Sequence, residues 1–443
     1  MRASRNGGFC RKVLGRVRKA ALLLFAVALP LTSSAAPLPS RRSDVVEVVE
    51  KVSPAVVNIA AQQTVRRQRS LFDDFFFGQD SRPAKSLGSG IIIDPKGIIL
   101  TNDHVISGAS KIIATTKDGK ELDCDVVGSD ADNDLAVLKA RGAVSNLPTI
   151  KLGSSSDLLI GETVVAIGNP FGLSNTVTAG VLSALGRSVP GENQRVYSDF
   201  LQIDAPINPG NSGGPVVNIQ GDMIGVATAI IGGAQGIGFA IPADRARRIV
   251  DDLLRFGKVQ PVWIGIHGRT ISGRDEDRPR GYRVRSVEPG SPADRAGIKA
   301  GDQVVSIDDK AVDSEEAFET ALSTRGPGKP MKIVLKSSAG PQRTVTVSGQ
   351  VPPADYGVRL LREEIGVTLR ESRDGLRLAT VESGGAAARA GLERGDAIVA
   401  LNGTAVNSID DVNKILARDH SRTTLWMVVG RGAWQYTLTF PLN

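Results

Sequence analysis

Asn208-Pro209-Gly210-Asn211-Ser212-Gly213-Gly214-Pro215 sets a serine between glycines on both sides. Glycine tolerates positive φ and lets a second chain approach the backbone closely. The stretch therefore reads as a tight, exposed turn carrying a nucleophile, with peptide N–H groups able to converge on a developing oxyanion. An ordinary Gly/Asn/Pro loop has the same composition; what lifts this one above it lies upstream. A serine hydroxyl is a weak nucleophile at neutral pH and needs an adjacent base, usually imidazole. The chain has three histidines, His104, His267 and His420, and only His104 shares the β-patterned region of Ser212. It follows an apolar strand, in Thr101-Asn102-Asp103-His104-Val105. The imidazole in turn needs a carboxylate to hold its tautomer. Asp134, in Asp132-Asn133-Asp134-Leu135-Ala136-Val137-Leu138, stands at the mouth of an apolar strand, with Asp130 and Asp132 as competitors.

The surroundings of Ser212 decide between two architectures. Gly210–Gly214 also satisfies G-x-S-x-G, but that elbow needs a helix directly after the serine and the order Ser, acid, His. Here strand-like Val216-Val217-Asn218-Ile219 follows, and the useful histidine comes first. From Ser89 to Pro242 short apolar runs (91–93, 98–100, 111–115, 135–138, 163–167, 200–203, 215–219, 223–227) alternate with turns such as Pro95-Lys96-Gly97. Strands at this spacing without helices between them predict a sandwich or barrel rather than a parallel α/β sheet. A helix is expected over 44–52 and another after Pro242, with Pro242 at N1 and Gly257 as C-terminal cap.

At 443 residues the chain is too long for one ordinary core, and about 100–200 residues per domain predicts about three. Aromatics are scarce (4%) and glycines plentiful (49), which suits strands and turns better than helical bundles. The net charge of +7 misleads, because Arg2, Arg5, Arg11, Lys12, Arg16, Arg18 and Lys19 fall within 1–35, where no acid occurs. Taking those seven from the 54 Lys and Arg leaves as many bases as the 47 Asp and Glu, so the argument for a nucleic-acid partner disappears. The same bases precede the apolar run Ala20–Leu29 and then Ser33-Ser34-Ala35-Ala36, the pattern of a secretory signal cleaved after Ala35. Cys10 leaves with it, so Cys124 has no partner for an internal disulfide and reads as an apolar filler on a strand. No HExxH pattern or Walker-type phosphate loop occurs, and no metal, cofactor or nucleotide is expected.

The remainder repeats itself. Ala296-Gly297-Ile298-Lys299-Ala300-Gly301-Asp302 recurs 94 residues later as Ala390-Gly391-Leu392-Glu393-Arg394-Gly395-Asp396. Each copy is followed by an apolar strand and a helical stretch (314–322, 408–416), which predicts two copies of a compact module joined at Pro352-Pro353-Ala354.

TNDHV, DNDLAVLK, GNSGGPVVN and GIGFAIP (Gly236–Pro242) resemble the HtrA/Deg family of serine proteases. The order His, Asp, Ser is the chymotrypsin-like one, and the repeated modules resemble PDZ domains. One protease domain and two PDZ domains behind a signal peptide are similar to the periplasmic Do-type (DegP/DegQ-like) members. That resemblance implies a mainly β fold: a signal peptide over 1–35, a chymotrypsin-like double β-barrel over 36–258, and PDZ domains over 259–352 and 355–443. It implies Ser212 as nucleophile, His104 as general base then acid, and Asp134 as the orienting acid. The Gly210 and Ser212 N–H groups, with Asn211 nearby, would form the oxyanion hole. Loops 206–211 and 228–235 would shape the pocket, where Ile207 and Ile237 favour small aliphatic side chains; no acid lies at 205–211 to suit Arg or Lys.

Arg187 falls in the loop that in this family relays PDZ occupancy to the active site. Trp263-Ile264-Gly265-Ile266 matches the peptide-binding loop of the first module, and Glu364-Ile365-Gly366-Val367 that of the second. Such modules add an extended peptide to a sheet edge and hold its C-terminal carboxylate in backbone N–H groups. The resemblance further implies trimers or multiples of trimers, with Phe75–Phe77 at an intersubunit contact, and at most a peripheral association with membranes. The expected activity is ATP-independent endoproteolysis of unfolded or damaged proteins in the periplasm. Two other classes remain: a holdase chaperone or PDZ scaffold with proteolysis secondary, and a small-molecule esterase.

Overall fold

The computed structural model describes residues 41–63, 85–170, 175–190, 196–208, 210–230, 236–271, 281–337, 340–422 and 424–442. The expectations for the signal segment, Phe75–Phe77 and residues 231–235 fall outside them.

Helix α1 (Asp44–Val52) leads into six antiparallel strands, β1 (Val56–Gln63), β2 (Lys85–Asp94), β3 (Ile98–Thr101), β4 (Ala109–Thr115), β5 (Glu121–Asp130) and β6 (Leu135–Ala140). They close into a barrel in the order β1-β2-β3-β6-β5-β4. Strands β7 (Thr163–Gly168), β8 (Thr176–Pro190), β9 (Val196–Ile203), β10 (Pro215–Asn218), β11 (Met223–Ile230) and β12 (Gly238–Pro242) close a second one. A double β-barrel is what the family resemblance implied.

Why β6 is a continuous apolar run, not an alternating one, follows from where its two faces go. Ala136 and Leu138 fill the first barrel together with Val57, Ile59, Ile92 and Ile99. Leu135 and Val137 point the other way, into a seam shared with Val165, Ile167, Val217 and Phe239 of the second barrel. Strand β7 repeats the device, with Val164 and Ala166 inside its own barrel and Val165 and Ile167 in the seam. Both faces of these strands are buried, so both must be apolar, and each fully buried aliphatic side chain contributes about 1.5–3 kcal/mol. The seam thus locks the barrels together along the line where Asp134 emerges.

Helix α2 is a single turn, Asp103–Ile106, between β3 and β4. Helix α3 (Ala243–Phe256) closes the seam with Ala246, Ile249, Val250 and Leu253. Gly257 ends it at φ 69, donating its N–H to Leu253. Pro242 is the N-cap rather than N1, because it is still the last residue of β12, with ψ 142.

Two five-strand paths follow, each with one extra short strand. In the first, β13 (Ile266–Ile271), β14 (Gly281–Val287), β15 (Gln303–Ile307), β17 (Pro330–Lys336) and β18 (Gln342–Ser348) run in that order, with β16 (Lys310–Ala311) on β15. In the second, β19 (Val367–Ser372), β20 (Gly375–Val381), β21 (Ala397–Leu401), β23 (Thr424–Arg431) and β24 (Trp434–Pro441) do the same, with β22 (Thr404–Ala405) on β21. Helices α4 (Pro292–Arg295) and α5 (Glu315–Ser323) of the first correspond to α7 (Ala386–Arg389) and α8 (Ile409–Arg418) of the second; α6 (Tyr356–Leu360) lies between the sheets.

The repeated Gly-Asp has a repeated cause. Gly301 and Gly395 adopt φ of +92 and +95, which suits only glycine comfortably. The buried Asp302 accepts the Lys299 N–H at 3.0 Å and pairs with Arg343 at 2.7 Å. Asp396 likewise accepts the Glu393 N–H at 2.9 Å and pairs with Arg431 at 2.7 Å. Ser314 and Ser408 cap the helices α5 and α8, the second through a full capping box with Asp411.

Cys124 fills the first barrel on β5, and burial pushes its thiol up to about 11. Since the thiolate is the reactive form, it is expected to resist alkylation by iodoacetamide at pH 7.5 in the native chain and to react at once in urea. Equal labelling rates in the two conditions would contradict that placement.

Candidate active site

Asp134 immediately precedes β6, in the left-handed region at φ +52, a conformation that Asp tolerates better than most residues. The turn before it is built by Asp130, whose carboxylate accepts the Asp132 N–H at 3.0 Å and the Asn133 side-chain amide. Asp130 is therefore spent on the turn, and burial raises its pKa. From α3, the Arg245 guanidinium donates to Asn133 Oδ1 at 2.8 and 2.5 Å and to the Ser198 carbonyl at 2.6 Å, fixing the turn from behind.

The Asp134 carboxylate faces His104. His104 Nδ1 lies 2.9 Å from both its oxygens, and the His104 backbone N–H donates to Oδ1 at 3.0 Å. Two further groups hold the acid: Thr228 Oγ1 donates to Oδ2 at 2.5 Å, and buried Asn102 donates to the Asp134 carbonyl at 2.7 Å. Thr228 also reaches the serine, its carbonyl accepting from Ser212 Oγ at 3.2 Å. Thr228 thereby ties Asp134 and Ser212 to one residue of β11, across the seam between the barrels. Asp134 and Ser212 are 7% and 5% exposed, so their polar contacts are made largely out of water.

Gly210 and Gly213 take φ of +105 and +83, as a turn built for glycine requires. A Cβ at Gly210 would sit 2.2 Å from Pro170 Cβ, and one at Gly213 2.2 Å from the Ser89 carbonyl oxygen. The Asn211 N–H donates to Asn208 at 3.0 Å, Gly213 to Ala227 at 2.9 Å and Gly214 to Asn211 at 2.9 Å. Among the described residues, the N–H groups of Gly210 and Ser212 donate to no acceptor. Asn211 is thus committed to the loop itself, while its two neighbours keep their donors.

The two isoleucines are not gathered into one cluster. Ile207 is buried in the second barrel against the backbone of Gly238, whereas half-buried Ile237 packs on the seam. Arg187 lies on β8, not in a loop, and pairs with Phe200 of β9 between two register shifts. Its guanidinium donates to Gln202 of β9 at 2.8 Å, and the next residue, Ser188, donates to Glu316 of α5 at 2.5 Å.

In the first repeat, Ile264 belongs to that repeat's core, while Trp263 packs into the core of the second, edge-on to Tyr356 at 6.4 Å. Glu288 gathers the Trp263 indole N–H at 3.1 Å, His267 Nε2 at 3.0 Å and Arg359 of α6 at 2.8 Å. The Ile264 and Gly265 N–H groups donate to no partner among the described residues, and β13 is an edge strand. The second repeat contacts the first here, with Ser421 against Glu319 of α5 and Trp263 in its core. Arg418, at the end of α8, feels the charges of Asp132 and Asp130 beside the Asp134 turn.

Burial raises Glu319 from 4.5 to about 7 and lowers His420 from 6.5 to about 4. The folded chain holds the Glu319 proton more tightly than the unfolded one, so its stabilisation is complete below 4.5 and is lost as pH rises through 7. That of His420 is complete above 6.5 and lost as pH falls toward 4, so above 6.5 only the Glu319 contribution still changes. Thermal unfolding between pH 6.5 and 8 is expected to show the parent losing stability and Glu319→Gln holding it; parallel curves would contradict the buried acid.

Sequence reasoning gave no role to Asn102, Arg245 or Ser89, and it put Thr228 at the start of a pocket loop, whereas Thr228 lies on β11, which runs to Ile230. Each is an unremarkable polar residue in one dimension.

The family description "Trypsin-like peptidase domain" matches residues 88–226, and "PDZ domain" matches 283–336 and 377–429. A probable periplasmic serine endoprotease, DegP-like, of Halomonas elongata is 35% identical over 90% of this chain and 94% of its own length. The periplasmic pH-dependent serine endoprotease DegQ of Escherichia coli is 37% identical over 89% of this chain and 90% of its own. The solved structure of the HtrA-type protease AlgW with tripeptide superposes with a TM-score of 0.52 at 34% identity, covering 70% of this chain and 97% of that one. With a trypsin-like domain of two β-barrels and two PDZ domains, the chain belongs to the HtrA/Deg family of serine endoproteases.

Proposed function

We propose that Ser212, His104 and Asp134 carry the proteolysis, and that the chain cuts unfolded or damaged polypeptides in the periplasm. The observation that carries the assignment is the Thr228 bridge, which sets Ser212 Oγ and the Asp134 carboxylate on one residue while Asp134 grips His104 at 2.9 Å. Attack on a peptide carbonyl begins when the Ser212 hydrogen turns from the Thr228 carbonyl to the imidazole. His104 accepts that proton at Nε2 as Oγ bonds to the carbonyl carbon, and Asp134 stabilises the imidazolium through Nδ1–H. The negative oxygen of the tetrahedral intermediate takes hydrogen bonds from the Gly210 and Ser212 N–H groups. Collapse breaks the C–N bond, and His104 gives its proton to the departing amine. Water, deprotonated by His104, then releases the acyl group from Ser212.

The absence of an acid at 205–211 supports cleavage after small aliphatic residues rather than after Arg or Lys. The N–H groups of Ile264 and Gly265, which donate to no partner among the described residues, beside the edge strand β13, support capture of a polypeptide C-terminus by the first PDZ domain. The β8–β9 contact with α5 supports Arg187 and its neighbours as the route by which that capture reaches the active site. The domains run 36–258, 259–352 and 355–443 in this reading, behind a signal at 1–35. The basic, then apolar start and the periplasmic relatives support that localisation, and the family suggests trimers or their multiples.

Degradation of reduced, unfolded β-casein by the parent and by Ser212→Ala tests the reading. Cutting by the parent alone supports it, and the cleavage sites then report on the aliphatic pocket. Casein left intact by both but kept from aggregating would favour a holdase. Equal cutting by both would remove Ser212 from the role.

A further inference from the structure

Gly210 places the least restrained residue type at the point where the oxyanion donors must be aimed, with φ +105. The restraint comes from the other barrel. Ser89 lies on β2 between Gly88 and Gly90 and is 0% exposed. Its N–H donates to the Ser212 carbonyl at 2.8 Å, and its Oγ donates to the Gly210 carbonyl at 2.5 Å. The same Oγ accepts the Asn169 N–H at 2.7 Å, and the Ser89 carbonyl accepts Thr101 Oγ1 at 2.7 Å. Asn169 is itself held, its carbonyl accepting from Asn58 at 2.7 Å. The fit is close: a Cβ at Gly88 would lie 2.6 Å from Val105 Cγ2, next to His104.

We propose that Ser89 is a positioning residue for the oxyanion hole, its hydroxyl setting the orientation of the Gly210–Asn211 peptide and, through it, of the Gly210 N–H. The inference rests on the reading of Ser212 as nucleophile. A hydroxyl both donates and accepts, and here it joins a buried N–H to a buried carbonyl. Alanine would leave both unpaired, which is costly. Rotation about Gly210 relieves the cost cheaply, since glycine accepts most backbone angles, but it swings the oxyanion donor away. The loss then falls on the transition state, where charge has developed, and not on substrate binding.

The test uses the full chain with a chromogenic peptide bearing an aliphatic residue at the cleaved bond, and a matching peptide boronic acid, which forms a tetrahedral adduct on serine. Ser89→Ala is expected to lower kcat roughly 10- to 100-fold, short of the full loss of a donor, with KM within about twofold. Its affinity for the boronic acid should fall by the same factor as kcat. Ser89→Thr, which keeps the hydroxyl, should recover most of the rate. Should Ser89→Ala not fold, Ser89→Cys, a weak donor, takes its place with the same expectation of reduced kcat and unchanged KM. A kcat within twofold of the parent, a change in KM alone, or a loss shared by Ser89→Thr with boronic-acid affinity unchanged would overturn the inference. If Ser212→Ala cuts as fast as the parent, it is the underlying reading that fails.

Discussion

Asp134→Asn is expected to lower kcat on a peptide substrate by about 10⁴ while leaving KM and the melting temperature near those of the parent. The reason lies in what the carboxylate accepts. Oδ1 takes the His104 N–H at 3.0 Å and Nδ1 at 2.9 Å, and Oδ2 takes Thr228 Oγ1 at 2.5 Å. All three are donors, so a carboxylate satisfies them and a carboxamide cannot. The amide NH₂ must face either Thr228 or His104. If it faces His104, Nδ1 becomes the acceptor and the imidazole proton moves to Nε2, the atom that has to receive the Ser212 proton. If it faces Thr228, that hydroxyl must turn to accept from it, and His104 keeps its tautomer but loses the negative charge that stabilises the imidazolium. Either the tautomer or the charge is lost while the shape survives, which is why the effect belongs to kcat. Steady-state kinetics with a melting curve on the same preparation check it; a loss below tenfold would mean that Asp134 is not the orienting acid.

Ser212→Ala removes more. A variant without the nucleophile is expected to lose roughly a million-fold in kcat, the residue being whatever the oxyanion donors and binding supply alone. The change deletes the hydroxyl of a residue that is 5% exposed, which among the described residues donates to the Thr228 carbonyl at 3.2 Å. Leaving a carbonyl one donor short is a modest loss, so the fold is expected to survive and the chain to remain able to bind unfolded polypeptide. Double replacement with His104→Ala should cost little beyond Ser212→Ala, because the two act as one unit. Independent, multiplying effects would point to a base that serves some other group.

What the sequence made legible, and what it hid, divides along a physical line. Ser212 stood out because glycines at 210 and 213 are demanded by backbone angles that a side chain would strain, and His104 because histidine is so rare here. The β6 run betrayed a strand buried on both faces. By contrast β5, Glu121–Asp130, was anticipated only through Cys124: around it buried residues alternate with exposed acids, so no apolar run marks the strand. Strand β8, 15 residues rich in Thr, Gly and Ser, hid for a similar reason, and Arg187 was assigned to a loop as a result. The roles of Thr228 and Arg245 were hidden because their contacts to Asp134 and Asn133 span about a hundred positions. The packing of Trp263 into the second repeat was equally hidden, since both repeats carry self-sufficient patterns and nothing local marks their contact.

The assignment of Ser212 as the one activated hydroxyl is tested most directly by covalent labelling. A fluorophosphonate probe reacts with a serine only where a base activates it and an oxyanion hole receives the phosphonyl oxygen. Mass spectrometry of the labelled, digested chain is expected to place a single adduct on the peptide containing Ser212, absent from His104→Ala. An adduct on another residue, or labelling of Ser212→Ala at the parent rate, would contradict it.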